Sequence, residues 1–209
     1  MSLSVISIPP TTGGLPTGVV VGLHGWGANG EDLASLASLL DLPNYQFLFP
    51  DAPFAHPYSS EGKMWYSFAQ TSAEAAQGDR ELAASQELLQ NWLVSLPETT
   101  GVPLERIILM GFSQGGAMAL DLGFKLPVAG LVILSGYLHP APRSSEVDLP
   151  PMLIVHGKQD NVVPVTSARL ARGTIEAMGA KVNYHEFDMG HEIRSEVLPI
   201  IKEFIRQVA

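Results

Sequence analysis

The chain has 209 residues, 46% apolar and 16% charged, and no cysteine, which supports one sizeable buried core and excludes disulfides, thiolate zinc sites and cysteine nucleophiles. The net charge is −9 with only 12 Lys and Arg and no basic cluster, which argues against a nucleic-acid-binding surface. No apolar run reaches the ~20 residues of a membrane helix, and "MSLSVISIPPTTGG" lacks the basic start and sustained apolar core of a secretory signal, so cytoplasmic residence without stable membrane insertion is the expectation.

In chain order, "VVVGLHG" (Val19–Gly25) is the first run that reads as a strand. "EDLASLASLL" then sets Leu33, Leu36 and Leu40 on one helical face, and "YQFLFP" (Tyr45–Pro50) reads as a second strand. A long connection, Ala52 to Gly78, carries Trp65, Tyr66 and Phe68. Connections of that length are usually functional or disordered, and aromatic residues do not favour disorder. "DRELAASQELLQNWLVSL" places Leu82, Leu89, Leu93 and Leu96 on a helix face. Further strands are expected at Arg106–Phe112, Gly130–Gly136, Pro151–Gly157 and Lys181–Phe187. A last helix repeats Val197, Ile201, Phe204 and Val208, with Pro199 tolerable in its first turn if Ser195 is the cap. Near-continuous apolar strands alternating with helices predict an α/β protein, a single domain over residues 1–209 with a mostly parallel, doubly wound sheet flanked by helices. Functional loops then lie beyond the carboxyl ends of the strands.

"GFSQG", within "IILMGFSQGGAMAL", fits G-x-S-x-G between a buried strand and a helix-competent segment. In that setting the glycines have a mechanical purpose. The turn strains the backbone of Ser113 and brings neighbouring backbone so close that side chains at Gly111 or Gly115 would clash. The alternative is a glycine-rich turn with an incidental serine.

A nucleophilic serine needs a base, and the base an orienting acid. Among six histidines, His191 in "DMGHE" follows the last strand, on a carboxyl-end loop. His56 lies in the long connection, and His139 comes early in chain order. His185 reads as structural, and His24 and His156 as turn-shaping imidazoles bonded to backbone. No His-x-x-x-His or His-Glu-x-x-His spacing suggests a metal. Asp160 in "HGKQDNVVP" is the best acid, with Asp188 and Asp51 as rivals. Ser113, Asp160, His191 is the α/β-hydrolase order of nucleophile, acid and base. The oxyanion donors expected are the backbone N–H groups of Gln114, after the serine, and Trp26, in "HGWG".

"LHGWG", "PDAP", "GFSQGG", "HGKQDNVVP" and "GHE", in this order and spacing, resemble the small phospholipase/carboxylesterase family of α/β-hydrolases. The family includes bacterial carboxylesterases, acyl-protein thioesterases and lysophospholipases. The resemblance runs from about Val19 to the C-terminal helix. It implies a hydrolase without a large cap domain, with Ser113, Asp160 and His191 as triad and Trp26 and Gln114 N–H groups as oxyanion hole. Trp26 stands where many relatives carry leucine, and "KMWYSF" where many show Trp-Phe-Asp, which bears on the acyl pocket.

The expected activity is that of a serine carboxylesterase acting through an acyl-enzyme on a small-molecule or lipid ester, with no metal or cofactor required. The acyl group is expected to be short to medium. Acyl-wall candidates are Leu23, Trp26, Trp65, Phe68 and Val163. A thioesterase or lysophospholipase would share the triad. A non-catalytic ligand-binding version of the fold would be expected to lose a triad member or the oxyanion glycines, and this sequence keeps them. Exposed apolar residues on the long connection or the sheet edge offer a surface for a homodimer.

Overall fold

The computed structural model describes residues 3–69, 71–139 and 148–209. The six predicted strands form as β2 (Gly18–Leu23), β3 (Tyr45–Pro50), β6 (Ile107–Phe112), β7 (Gly130–Leu134), β8 (Met152–Gly157) and β9 (Val182–Phe187). They run parallel. A further strand, β1 (Val5–Ile8), lies antiparallel on β3 and completes a seven-stranded sheet of order β1-β3-β2-β6-β7-β8-β9. The direction of winding reverses at β2: the chain steps outward to β3, then returns to β6 on the other side. Loops leaving β2 and β6 therefore diverge around a crevice at the carboxyl end of the sheet.

The central strands β2, β6 and β7 are near-continuously apolar and buried because both faces are covered. On β2 and β6, Val19, Val21, Leu23, Ile107 and Leu109 belong to one core, with Leu89, Leu93, Met118 and Ile175. The alternate residues Val20, Ile108 and Met110 belong to the other, with Leu33, Leu36, Ile201 and Phe204. The period-2 direction of strand side chains thus serves two helical layers. The first contains α2 (Ser72–Thr100), α3 (Gln114–Gly123) and α4 (Val165–Ala177); the second contains α1 (Gly30–Leu40) and α5 (Leu198–Val208). No helix among the described residues is long and apolar enough to cross a membrane.

Local expectations were altered in two places. The connection after β3 is shorter than Ala52–Gly78, because α2 begins at Ser72 rather than Asp79. Thr71 Oγ1 accepts from Glu74 N–H, and the Glu74 carboxylate accepts from Thr71 N–H, a reciprocal cap that starts the helix before its apolar stripe does. What remains of the connection holds a small hairpin, β4 (Phe54–Ala55) with β5 (Lys63–Met64). At the other end, Ser195 does not cap α5. It opens a 3₁₀ turn, Ser195–Val197, that runs into the helix with no side-chain cap, while Pro199 sits in the first turn, where its missing N–H costs little.

The tightest packing is between β6 and α3. A Cβ on Gly111 would lie 2.2 Å from the Gly115 carbonyl oxygen, and one on Gly115 2.1 Å from that of Leu23. Both obstacles are backbone and cannot swing aside. Gly111→Ala is expected to lower unfolding free energy by about 3 kcal/mol, measured by urea denaturation. A loss no larger than that of a surface substitution would show that the strand–helix contact can relax.

Candidate active site

One residue, Ser113, joins β6 to α3, with φ 55° and ψ −117°. That left-handed region is costly for a residue with a side chain and is held here by its surroundings. Ser113 N–H donates to Leu134 O at 2.9 Å, and Ser113 O accepts from Gly116 N–H at 2.9 Å. Gln114, the first residue of α3, has its N–H among those that a helix leaves without an internal acceptor. Gly25, after β2, passes so near that a Cβ there would sit 3.3 Å from Ser113 Cβ.

The loop after β2 is braced from behind. His24 is fully buried, and desolvation lowers its pKa, which keeps the ring neutral. Its Nδ1 donates to Gly25 O at 2.8 Å, and its Nε2 accepts from Ala52 N–H at 3.0 Å. Gly27 N–H donates to Lys63 O at 2.8 Å, and Lys63 N–H to Ala28 O at 2.8 Å. Trp26 N–H, between these contacts, has no backbone acceptor among the described residues.

Asp160 and His191 arrive on the loops after β8 and β9. His191 Nδ1 donates to Asp160 Oδ2 at 2.7 Å, leaving Nε2 as the free ring nitrogen. Asp160 Oδ1 accepts from Val162 N–H at 2.9 Å and Val163 N–H at 2.8 Å. His156, also fully buried, donates from Nε2 to Val163 O at 2.8 Å and lies 3.4 Å from Asp160 Oδ2. It therefore holds the acid's loop closed, a role its place before Gly157 only partly signalled.

Ser113 and His191 both line a cavity of about 550 Å³, walled by Trp26, Phe68, Phe112, Tyr137 and Val163. Their side chains make no hydrogen bond to each other in this conformation; such contacts often tighten only with substrate bound. Phe112 packs against the His191 ring, with centroids 4.8 Å apart. Among the described residues, His191 is the only histidine of the cavity lining. His56 stacks edge-on against Trp26, His139 bonds to Asp121, and Asp188 pairs with Lys158 at 3.0 Å on the surface. Asp51 accepts from Gly30 N–H at 2.8 Å at the start of α1. Among the described residues, no cluster of three or more His, Asp or Glu is placed to hold a metal ion.

Two of the expected wall residues lie elsewhere. Leu23 and Trp65 are fully buried in the core and do not line the cavity. Leu23 points into the layer beneath the sheet because its position on β2 alternates that way. Trp65 is held as an anchor: its Nε1 donates to His24 O at 2.9 Å, and its carbonyl accepts from Ser85 Oγ at 2.6 Å. The Gln114 side chain completes the clamp, accepting from Trp65 N–H at 2.9 Å and donating to Tyr66 O at 2.7 Å. Phe112 and Tyr137 were missed as wall residues. Each ends or follows a strand at the functional edge, which is the signal that could have found them.

Burial pushes the Asp160 carboxyl up, but hydrogen bonds from His191, Val163 and Val162 together pull it below its ordinary value. A carboxyl held low in the fold stabilises it fully above the unfolded-state value of about 4 and loses that contribution as pH falls through the folded-state value. The stability gap between the native chain and Asp160→Asn is therefore expected to be widest near neutral pH and to narrow on acidification below about pH 4, read from urea unfolding across pH. A gap constant into the acid range would contradict the assignment.

The family model described as Phospholipase/Carboxylesterase matches residues 12–209. The chain is 32% identical to acyl-protein thioesterase 1 of Neurospora crassa, over 91% of this chain and 86% of that protein. Among solved structures it is similar to esterase PE8, with TM-score 0.89, 28% identity and complete coverage of both chains. It also shares its fold with the Bacillus cereus carboxylesterase, at TM-score 0.82 and 18% identity, covering 99% of this chain and 95% of that one. With the family model matching nearly the whole chain, the protein belongs to the phospholipase/carboxylesterase family of α/β-hydrolases and is an ester hydrolase.

Proposed function

We propose that the chain is a serine carboxylesterase that works through an acyl-enzyme, with Ser113 as nucleophile, His191 as base and Asp160 as orienting acid. The observation that carries this reading is the 2.7 Å bond from His191 Nδ1 to buried Asp160, which leaves His191 Nε2 available at the cavity that Ser113 also lines. Nε2 takes the Ser113 proton as the oxygen attacks the ester carbonyl. Asp160 fixes the tautomer and stabilises the imidazolium. The oxyanion forms against the N–H groups of Trp26 and Gln114, each worth about 3 kcal/mol in comparable sites. The imidazolium then returns its proton to the departing alcohol, and water repeats the sequence on the acyl-enzyme.

The cavity wall of Trp26, Phe68, Phe112 and Val163 is apolar and suits a short- to medium-chain acyl group. A thioester in place of the ester is the second reading, favoured by the likeness to an acyl-protein thioesterase. Both use the same groups and differ only in the leaving atom. A panel of matched oxygen esters and thioesters over increasing acyl length separates them: a higher kcat/KM for the thioesters would favour the second.

Ser113→Ala is expected to lower kcat on p-nitrophenyl esters by about 10⁴-fold or more. A fluorophosphonate probe should label Ser113 and no other residue. Retained turnover in the variant, or labelling elsewhere, would refute the assignment.

A further inference from the structure

A second carboxylate–imidazole–hydroxyl series lies beside the cavity and has no part in the mechanism above. Asp121, buried on α3, accepts at Oδ2 from Gln86 Nε2 at 2.6 Å and from His139 Nδ1 at 2.8 Å. His139 Nε2 lies 2.7 Å from the Tyr66 hydroxyl, which in turn bonds to the Tyr137 hydroxyl. With the ring proton on Nδ1 toward Asp121, His139 Nε2 accepts the Tyr66 O–H, and the Tyr66 oxygen accepts the Tyr137 O–H. Each donor in the series then has one acceptor, an arrangement whose bonds reinforce one another. Burial raises the pKa of both phenols, Tyr137 to about 12, so both keep the protons the series requires.

The series ends at the cavity. Tyr137 lines the cavity that holds Ser113 and His191. The buried Tyr66 ring stands edge-on to Phe68 at 5.7 Å, and Phe68 contacts Trp26 at the same distance. Phe68 and Trp26 are wall residues as well. Tyr66 therefore touches two parts of the wall, one through its hydroxyl and the other through its ring. Its carbonyl is also tied to the Gln114 side chain at 2.7 Å.

Building on the esterase reading, we propose that the Asp121–His139–Tyr66 series positions the Tyr137 ring as a fixed wall, and that Tyr137 thereby selects linear over branched acyl chains. A branched chain needs a wider cavity, and widening it at this wall requires the Tyr137 ring to move. Tethered, the ring moves only by breaking its hydroxyl bond to Tyr66. Selectivity thus gains about the strength of one neutral hydrogen bond, roughly fivefold in relative kcat/KM. Asp121, His139 and Tyr66 are positioning residues, since they act through Tyr137.

The readout is the ratio of kcat/KM for p-nitrophenyl butyrate to that for p-nitrophenyl pivalate. Tyr137→Phe and Tyr66→Phe remove the same bond from opposite sides. Each should lower the ratio about fivefold, and the double variant should lower it no further. Asp121→Asn, remote from the cavity, should shift the ratio in the same direction. An unchanged ratio in Tyr137→Phe, or additive losses in the double variant, would overturn the proposal. Fluorophosphonate labelling at Ser113 reports whether each variant keeps its reactive site. If Tyr66→Phe loses labelling, Tyr137→Phe and Asp121→Asn decide the question. Ser113→Ala run in parallel separates the two readings. Activity that survives it defeats both, whereas an unchanged ratio with activity still dependent on Ser113 defeats this one alone.

Discussion

A one-residue turn between a buried strand and a buried helix is the constraint around which this protein is built. Ser113 is held at φ 55° because α3 packs against β6 and β2 at backbone distance, with Gly111 and Gly115 leaving room for carbonyl oxygens where side chains would stand. The strain is local, but what maintains it is not. The Leu23 carbonyl, the Leu134 carbonyl and the Gly25 backbone each come from a different strand or loop of the sheet. The same closeness places the N-terminus of α3 beside the serine, where its unsatisfied N–H groups favour developing negative charge.

The polar groups around this turn divide into a carboxylate–imidazole pair that reaches the cavity and bonds that secure the backbone. Asp160 and His191 are oriented by one another and by the backbone of Val162 and Val163. Gln114, His24, His156 and Trp65 bind backbone instead; Gln114, His24 and Trp65 join segments remote in sequence, and His156 secures the loop that follows it. Gln114 belongs to both regions: its backbone opens α3 directly after Ser113, while its side chain secures Trp65 and Tyr66. Hydrogen bonds of this kind are worth more in holding geometry than in net stability, because an unpaired buried donor or acceptor is costly. A neutral, desolvated His24 fits that pattern, since only an uncharged ring can accept from Ala52 and donate to Gly25 at once.

His139 shows how little an imidazole's sequence neighbourhood says about its use. Like His191 it follows a strand at the functional edge and donates through Nδ1 to a buried carboxylate. It then meets a tyrosine hydroxyl rather than a serine, because the segment after β5 returns Tyr66 to that place. Two chemically similar series therefore adjoin the same cavity, one reaching it through His191 and the other through Tyr137.

The amino-acid sequence by itself determined the six parallel strands, the parallel α/β class and the order of the proposed catalytic residues. Those features depend on local pattern: continuous apolar runs, turn glycines, and a serine, an aspartate and a histidine each placed just after a strand. It did not reveal β1, whose four residues carry too short a pattern to distinguish from a loop. It placed the start of α2 too late, because a side-chain cap and not the apolar stripe begins that helix. Tertiary structure alone decided which aromatic residues line the cavity. Trp65 and Phe68 are close neighbours in sequence, yet one is locked beneath the His24 carbonyl and the other stands half exposed at the cavity. That division arises from hydrogen bonds and packing between segments far apart in the chain, which no local periodicity records.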